Sequence, residues 1–157
     1  MKIIGKTTIN PVFFFTGKIA GYTTWIILFF KLINIDIIVV DTFLIYKSIS
    51  IALLVIGLTL TTISLVNLGK STRLGLPTEE TQFKTNGLYK ISRNPMYVGF
   101  NLITISSIVY IQSWLVLALG IYSLIIYHII ILGEEDFLSI RFGEEYKTYK
   151  KKVRRYL

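Results

Sequence analysis

The chain has 157 residues, of which 53% are hydrophobic and only 17% charged, with a net charge of +8. A soluble domain this size carries about 25% charged residues to cover its surface, so this composition points to a membrane. There are no cysteines and one histidine, which excludes disulfides, thiolate metal sites, cysteine nucleophiles and multi-histidine metal centres. The positive charge sits mainly between and after apolar segments, so it reads as a membrane-orientation bias rather than a nucleic-acid surface.

In chain order, the first apolar stretch is Val12–Phe30, interrupted by Lys18. Lys2 and Lys6 precede it as in a signal peptide, but no small-residue cleavage site follows and further spans come after it, so it is read as a span. Lys18 must then snorkel or face the bundle interior. Asp36 and Asp41 fall in the loop that follows. Ile49–Leu68 is a charge-free run of the roughly 20 residues a spanning helix needs. Gly69–Arg93 is the one long polar loop. Met96–Ile111 is shorter, and Asn94-Pro95 ahead of it suits the N-cap and first position of a helix. Ser113–Leu132 is the last span, joined to it by a turn at Gln112-Ser113 and carrying His128. The tail after Gly143 is amphipathic, with Tyr146, Tyr149 and Val153 on one helical face among Lys147, Lys150, Lys151 and Arg154. Its simplest role is a surface helix on anionic headgroups.

Four spans place Lys2, Lys6, Lys70, Arg73, Lys84, Lys90, Arg93, Arg141, Lys147, Lys150, Lys151, Lys152, Arg154 and Arg155 on one side. These are fourteen of the 17 Lys and Arg residues. That bias predicts an all-α, polytopic membrane helical bundle of about four transmembrane helices, with both termini and a C-terminal amphipathic helix in the cytosol. A prokaryotic plasma membrane is the expected location, and the whole chain is expected to form one domain.

Two polar segments then share the cytosolic side, one before the third span and one after the fourth. Glu134, Glu135 and Asp136 either end a helix, opposing its dipole by about 0.3–1 kcal/mol per exposed charge, or lie within a helix that runs on into the cytosol. Either way they can offer a carboxylate to a cationic or hydroxyl-rich ligand. The start of the third span offers free backbone N–H groups to an anionic end. Tyr89, Tyr97, Tyr146 and Tyr149 could cage a sulfonium or ammonium group, although each read singly is an interfacial belt residue.

The pattern Gly87-x-Tyr89-x3-Arg93-Asn94-Pro95-x-Tyr97-x-Gly99 is followed by Glu134-Glu135-x2-Leu138-x3-Phe142-Gly143-x2-Tyr146-x2-Tyr149-x3-Val153-x-Arg155. Together they resemble the isoprenylcysteine carboxyl methyltransferase family and the related phospholipid N-methyltransferases, over roughly Thr81–Arg155. The resemblance implies S-adenosylmethionine bound at the cytosolic membrane boundary and a core at 81–155. By position, the cofactor contacts would be Thr81, Gln82, Phe83, Lys84, Tyr89, Asn94, Pro95, Met96, Tyr97, Glu134 and Glu135. No metal is implied. The family commonly has a histidine where this chain has Asn94, which can still hydrogen-bond the cofactor carboxylate but cannot titrate. Members that methylate prenylcysteine carry an arginine where this chain has Ile130.

These residues lead to three expectations. The first is methylation of the carboxylate of an isoprenylcysteine-like or other lipophilic substrate, which needs no base. The second is N-methylation of a phospholipid headgroup, which needs an amine freed of its proton. The third is a non-catalytic membrane scaffold that keeps the fold. The expected partners are a lipophilic or prenylated substrate and membrane lipids, and not nucleic acid.

Overall fold

A computed structural model describes residues 7–69 and 83–157. Four helices carry them, and among the described residues there is no β-sheet. Helix α1 (Pro11–Leu32) starts where Asn10 Oδ1 accepts the Val12 N–H at 2.9 Å and Pro11 takes the first helical position. It ends next to Asn34, whose φ of 63° turns the chain. Helix α2 (Leu44–Leu68) follows and stops at Gly69, with φ 53°. A single 3₁₀ turn (Gly87–Lys90) leads into α3 (Pro95–Ile111). Gln112, in the left-handed conformation, reverses the chain into α4 (Trp114–Lys152). The hairpin therefore turns where the sequence places it, and α1 and α2 each run longer than their most apolar stretches.

Helices α1, α2 and α4 are long and apolar enough to cross a membrane, and α3 is a shorter apolar helix of 17 residues. At 1.5 Å per residue α3 spans about 25 Å, close to the thickness of a hydrocarbon core. The molecule is a helical membrane bundle.

Helix α3 is its centre. On one side α2 leans on it through a seam of small residues. Gly57 lies against the Gly99 carbonyl, and Gly99 lies against Thr61. Ser50 and Ser106 hydrogen-bond each other's carbonyls at 2.9 and 2.8 Å, fully buried. Where the surroundings are lipid, apolar burial gives no drive to pair helices, so close backbone approach and interhelical hydrogen bonds do it instead. The other face of α2 is a continuous exposed apolar surface that includes Ile49, Val55, Ile56, Ile63 and Val66. On the other side, α1 and α4 pack together through Gly17 against Ile126 and Gly21 against Ser123. Trp25 of α1 donates to Thr104 of α3 at 2.9 Å. The α1–α2 loop is tied down by the Lys31–Asp36 ion pair and by Thr42, which donates to the Tyr110 carbonyl at 2.6 Å.

Candidate functional site at the start of α3

Helix α4 does not end at the acidic residues. It continues past its apolar part through Glu134, Glu135 and Asp136 to Gly143, whose φ of 51° and ψ of −123° break it. A last helical stretch, residues 144–152, then leads into an extended tail. The acids are thus mid-helix, and their intrahelical neighbours satisfy the carbonyls that an end would have left open.

Glu135 is 2% exposed and collects the positive charge of two distant segments. Arg93 donates to its Oε1 from Nε at 3.1 Å and Nη2 at 2.9 Å. Arg155 donates to Oε1 at 3.2 Å and to Oε2 at 3.0 Å. The Asn94 side-chain amide donates to Oε1 at 3.3 Å. Burial alone would raise the Glu135 carboxyl, but the Arg155 and Arg93 hydrogen bonds outweigh it and hold the group below the ordinary carboxylate range.

Around this knot the tail returns to the start of α3. The Arg93 N–H donates to the Arg154 carbonyl at 2.8 Å, and Ser92 and Arg154 form a parallel bridge. Arg93 also donates to the carbonyls of Lys150 and Val153 at 3.2 and 2.6 Å, closing the end of α4. Tyr156 reaches back to His128 Nδ1 at 2.6 Å. The tail aromatics do not form an outward belt. Tyr146 is 1% exposed, and Phe83 sits in a nest of Phe142, Tyr146 and Tyr149 with ring centroids 5.0–5.6 Å away. Tyr149 donates to the Tyr89 carbonyl at 2.5 Å. Its hydroxyl is pushed up to about 12, mainly by burial, with Glu135 adding to the shift and Arg93 opposing it. The amphipathic face seen in the sequence therefore turns inward onto protein.

Glu134, one residue before Glu135, faces a different set of partners. Its Oε1 accepts the Tyr97 hydroxyl at 2.7 Å. Burial raises this carboxyl, against the opposing effects of the Tyr97 hydrogen bond and the Lys18 charge. Three helices meet here, contributing Lys18 from α1, Tyr97 from α3 and Glu134 from α4.

Asn94, Pro95, Met96, Tyr97, Glu134, Glu135, Tyr89 and Phe83 all lie on the loop leading into α3, its first turn, or the facing part of α4. Asn94 holds the N-cap position of α3, but its side chain does not cap. Its amide goes instead to Glu135 and to the Arg155 carbonyl, at 3.3 Å each. Pro95 and Tyr97 are buried, and Met96 packs beside the core. Lys84 is partly buried. Thr81 and Gln82 lie outside the described residues. Sequence reasoning missed Asn101, whose Oδ1 is buried without a hydrogen-bond partner among the described residues. Asn101 is seven residues past Asn94, on the same face of α3. Its signal was available as the only amide side chain in a charge-free span.

A family model described as phospholipid methyltransferase matches residues 45–145. The chain belongs to the phospholipid methyltransferase family. No curated protein and no solved structure matches it. Membership makes the chain a membrane methyltransferase, in the family related to the isoprenylcysteine carboxyl methyltransferases that its motifs resemble. The matched stretch of this phospholipid methyltransferase runs from the start of α2 to just past Gly143. It includes Arg93, Asn94, Tyr97 and both glutamates, and leaves out α1 and the tail that carries Arg155. Among the described residues no group of three or more His, Asp and Glu side chains could hold a metal ion.

Proposed function

We propose that this protein transfers a methyl group from S-adenosylmethionine to the headgroup amine of a phospholipid at the membrane boundary. The observation that carries the reading is the meeting of the α3 start with Glu134 inside the family-matched stretch. The residues fit the cofactor. The first N–H groups of α3 lack intrahelical partners, as in any helix, and suit its carboxylate. Tyr97 engages only one Glu134 oxygen, which leaves Oε2 for the cofactor's amine or ribose hydroxyls. The unpartnered Asn101 acceptor lies on the same face of α3. Phe83 and Tyr149 provide an aromatic wall beside the loop into α3.

When bound, S-adenosylmethionine supplies an electrophilic methyl on its own leaving group, so the acceptor displaces it directly. The protein's part is orientation and exclusion of water. Glu134 and the first backbone N–H groups of α3 would hold the cofactor, with Tyr97 fixing the Glu134 rotamer and Asn94 tying the start of α3 to the tail. Glu135 would act indirectly, holding Arg93 and the tail in place. A headgroup ammonium must shed its proton to water before it can attack.

The phospholipid reading takes precedence over the prenylcysteine carboxylate for two reasons. The matching family model is the phospholipid one. Ile130, where the prenylcysteine enzymes carry arginine, is fully buried in the apolar core and gives no charge to a carboxylate.

Calorimetry of the detergent-purified protein tests the cofactor site. The wild type binds S-adenosylmethionine, and Glu134→Ala weakens binding at least tenfold. Equal binding by the variant refutes the Glu134 assignment. Methyl-labelled cofactor given with a lipid extract then separates the acceptors. Label in amine-bearing phospholipids supports the proposal, and label in base-labile methyl esters moves the carboxylate reading to first place.

A further inference from the structure

Lys18 is the only charged residue between Pro11 and Phe30, in a helix otherwise built to meet lipid. A cation at that depth is costly, and such residues usually face the bundle interior and mark a binding path. Helix α1 lies outside the family-matched stretch, so membership assigns Lys18 nothing.

Lys18 is partly buried where α1 meets α3 and α4. Gly17 beside it touches Ile126 of α4. Tyr22, one turn on, packs against Trp25, which packs in turn against Phe100 of α3. The Lys18 stem runs back toward the α1 N-terminus, with Nζ 4.0 Å from the centre of the Phe14 ring. Among the described residues no hydrogen bond or ion pair within 4.0 Å reaches this ammonium. Glu134 acts on it electrostatically from beyond ion-pair distance, and Tyr97 already takes a Glu134 oxygen. Burial also favours the neutral form of Glu134, which weakens it as a counter-charge. The ammonium thus keeps its donors open beside the junction assigned above to methyl transfer.

We propose that Lys18 is a specificity-determining residue that holds an anionic headgroup oxygen of the amphiphilic acceptor while its chains stay in the bilayer. The inference rests on the methyltransferase reading of the Tyr97–Glu134 junction. The favoured anion is a phosphodiester. In an aminoethyl phosphate headgroup, a two-carbon bridge joins it to the amine, so fixing one group restricts the other. A prenylcysteine carboxylate offers the same charge chemistry. The structural alternative is that Lys18 serves only as a distant counter-charge for Glu134.

The test measures lipid binding directly, so it does not depend on turnover. Wild type, Lys18→Met and Lys18→Arg are purified in uncharged detergent. Each is titrated with short-chain phosphatidylethanolamine, with the matching diacylglycerol, with an S-prenylated N-acylcysteine and with the methyl ester of that compound. S-adenosylmethionine is titrated alongside. Lys18→Met is expected to weaken phosphatidylethanolamine binding about tenfold, to the level of diacylglycerol. Lys18→Arg should retain most of the affinity, and cofactor binding should match wild type in both. If the loss falls on the prenylated carboxylate instead, and not on its ester, the anion handle stands and the acceptor is the carboxylate. Unchanged lipid binding in Lys18→Met overturns the proposal. So does a parallel loss of cofactor and lipid, which is the signature of a counter-charge. A wild type that binds lipid with this Lys18 dependence but binds no cofactor refutes the methyltransferase reading and leaves the anion site in place.

Discussion

Glu134 and Glu135 are adjacent in one helix, yet they belong to two different regions of the molecule. Glu135 faces the tail, where two arginines and an asparagine take up both its oxygens. Glu134 faces the junction of α1, α3 and α4, where one tyrosine takes one oxygen and a lysine stands off. The roughly 100° between successive helical side chains is enough to separate them. The tail region is closed at its centre, because Glu135, Arg93 and Arg155 satisfy one another there. The junction is open, because among the described residues Glu134 and Lys18 both retain unused hydrogen-bonding capacity. Closed charge networks hold a fold, and open ones are where a ligand gains by binding.

The largest effect follows from breaking the closed side. Glu135→Ala leaves Arg93, whose side chain is 8% exposed, buried without its counter-charge and frees Arg155. Removing one partner of a buried pair destabilises by about 3–5 kcal/mol. The expected outcome is a loss of about 3 kcal/mol in detergent unfolding, since Arg155 is partly exposed, together with rapid trypsin cleavage near Lys150–Lys152. The pH dependence has a definite sign. The folded-state value of Glu135 lies below its unfolded value. Its contribution is therefore fully present above the ordinary carboxylate pKa of about 4.3 and is lost as pH falls through the lower folded value. An unfolding midpoint that does not respond to acid, or a tail no more cleavable in the variant, refutes the knot.

The two regions also differ in how well the sequence revealed them. The helices were legible because spans are set by apolar length. The hairpin turn and the helix start at Asn94-Pro95 are local features. The junction was partly legible, since Glu134 and Tyr97 fall in the two motif segments and Lys18 interrupts an apolar stretch, although the sequence left open whether it snorkels or faces the interior. The knot was not. Arg93 and Arg155 lie 62 positions apart and look like ordinary positive-inside charges, so nothing local marks them as ligands of one carboxylate. The same long-range tie redirects Asn94, whose side chain was expected to cap α3 and instead serves the tail. Tyr146 and Tyr149 read as belt residues because only the return of the tail turns their face onto Phe83.

A middling effect is expected away from both regions, at the α2–α3 seam. A Cβ on Gly99 would lie 2.3 Å from Thr61 Oγ1, 2.7 Å from the Gly57 carbonyl and 2.9 Å from the Thr61 backbone nitrogen. Two of these are backbone atoms, so α2 must move. Overpacking of this kind costs about 1–3 kcal/mol. Gly99→Val should lower the unfolding free energy by about 2 kcal/mol while the tail stays resistant to trypsin. That pattern separates a seam defect from a knot defect. Loss of tail protection in Gly99→Val would mean that the seam and the tail unfold as one unit.

The smallest effect on stability is the sharpest test of the comparison. In Glu134→Gln the amide oxygen can still accept the Tyr97 hydroxyl, and the group no longer has to ionise in a buried place. The folded-state value of Glu134 lies above its unfolded value, so the carboxyl favours folding below the ordinary carboxylate pKa and loses that advantage as pH rises through the raised value. The variant should match wild type within about 0.5 kcal/mol in acid and equal or exceed it at neutral pH. Glu135→Gln should show the opposite sign, because an amide cannot neutralise two arginines. Cofactor affinity should reverse the ranking, falling strongly in Glu134→Gln and only modestly in any Glu135→Gln protein that folds. Two neighbouring, isosteric changes would then act oppositely on stability and binding. If both variants lose stability alike, Glu134 belongs to the closed network, and the open junction cannot be the site.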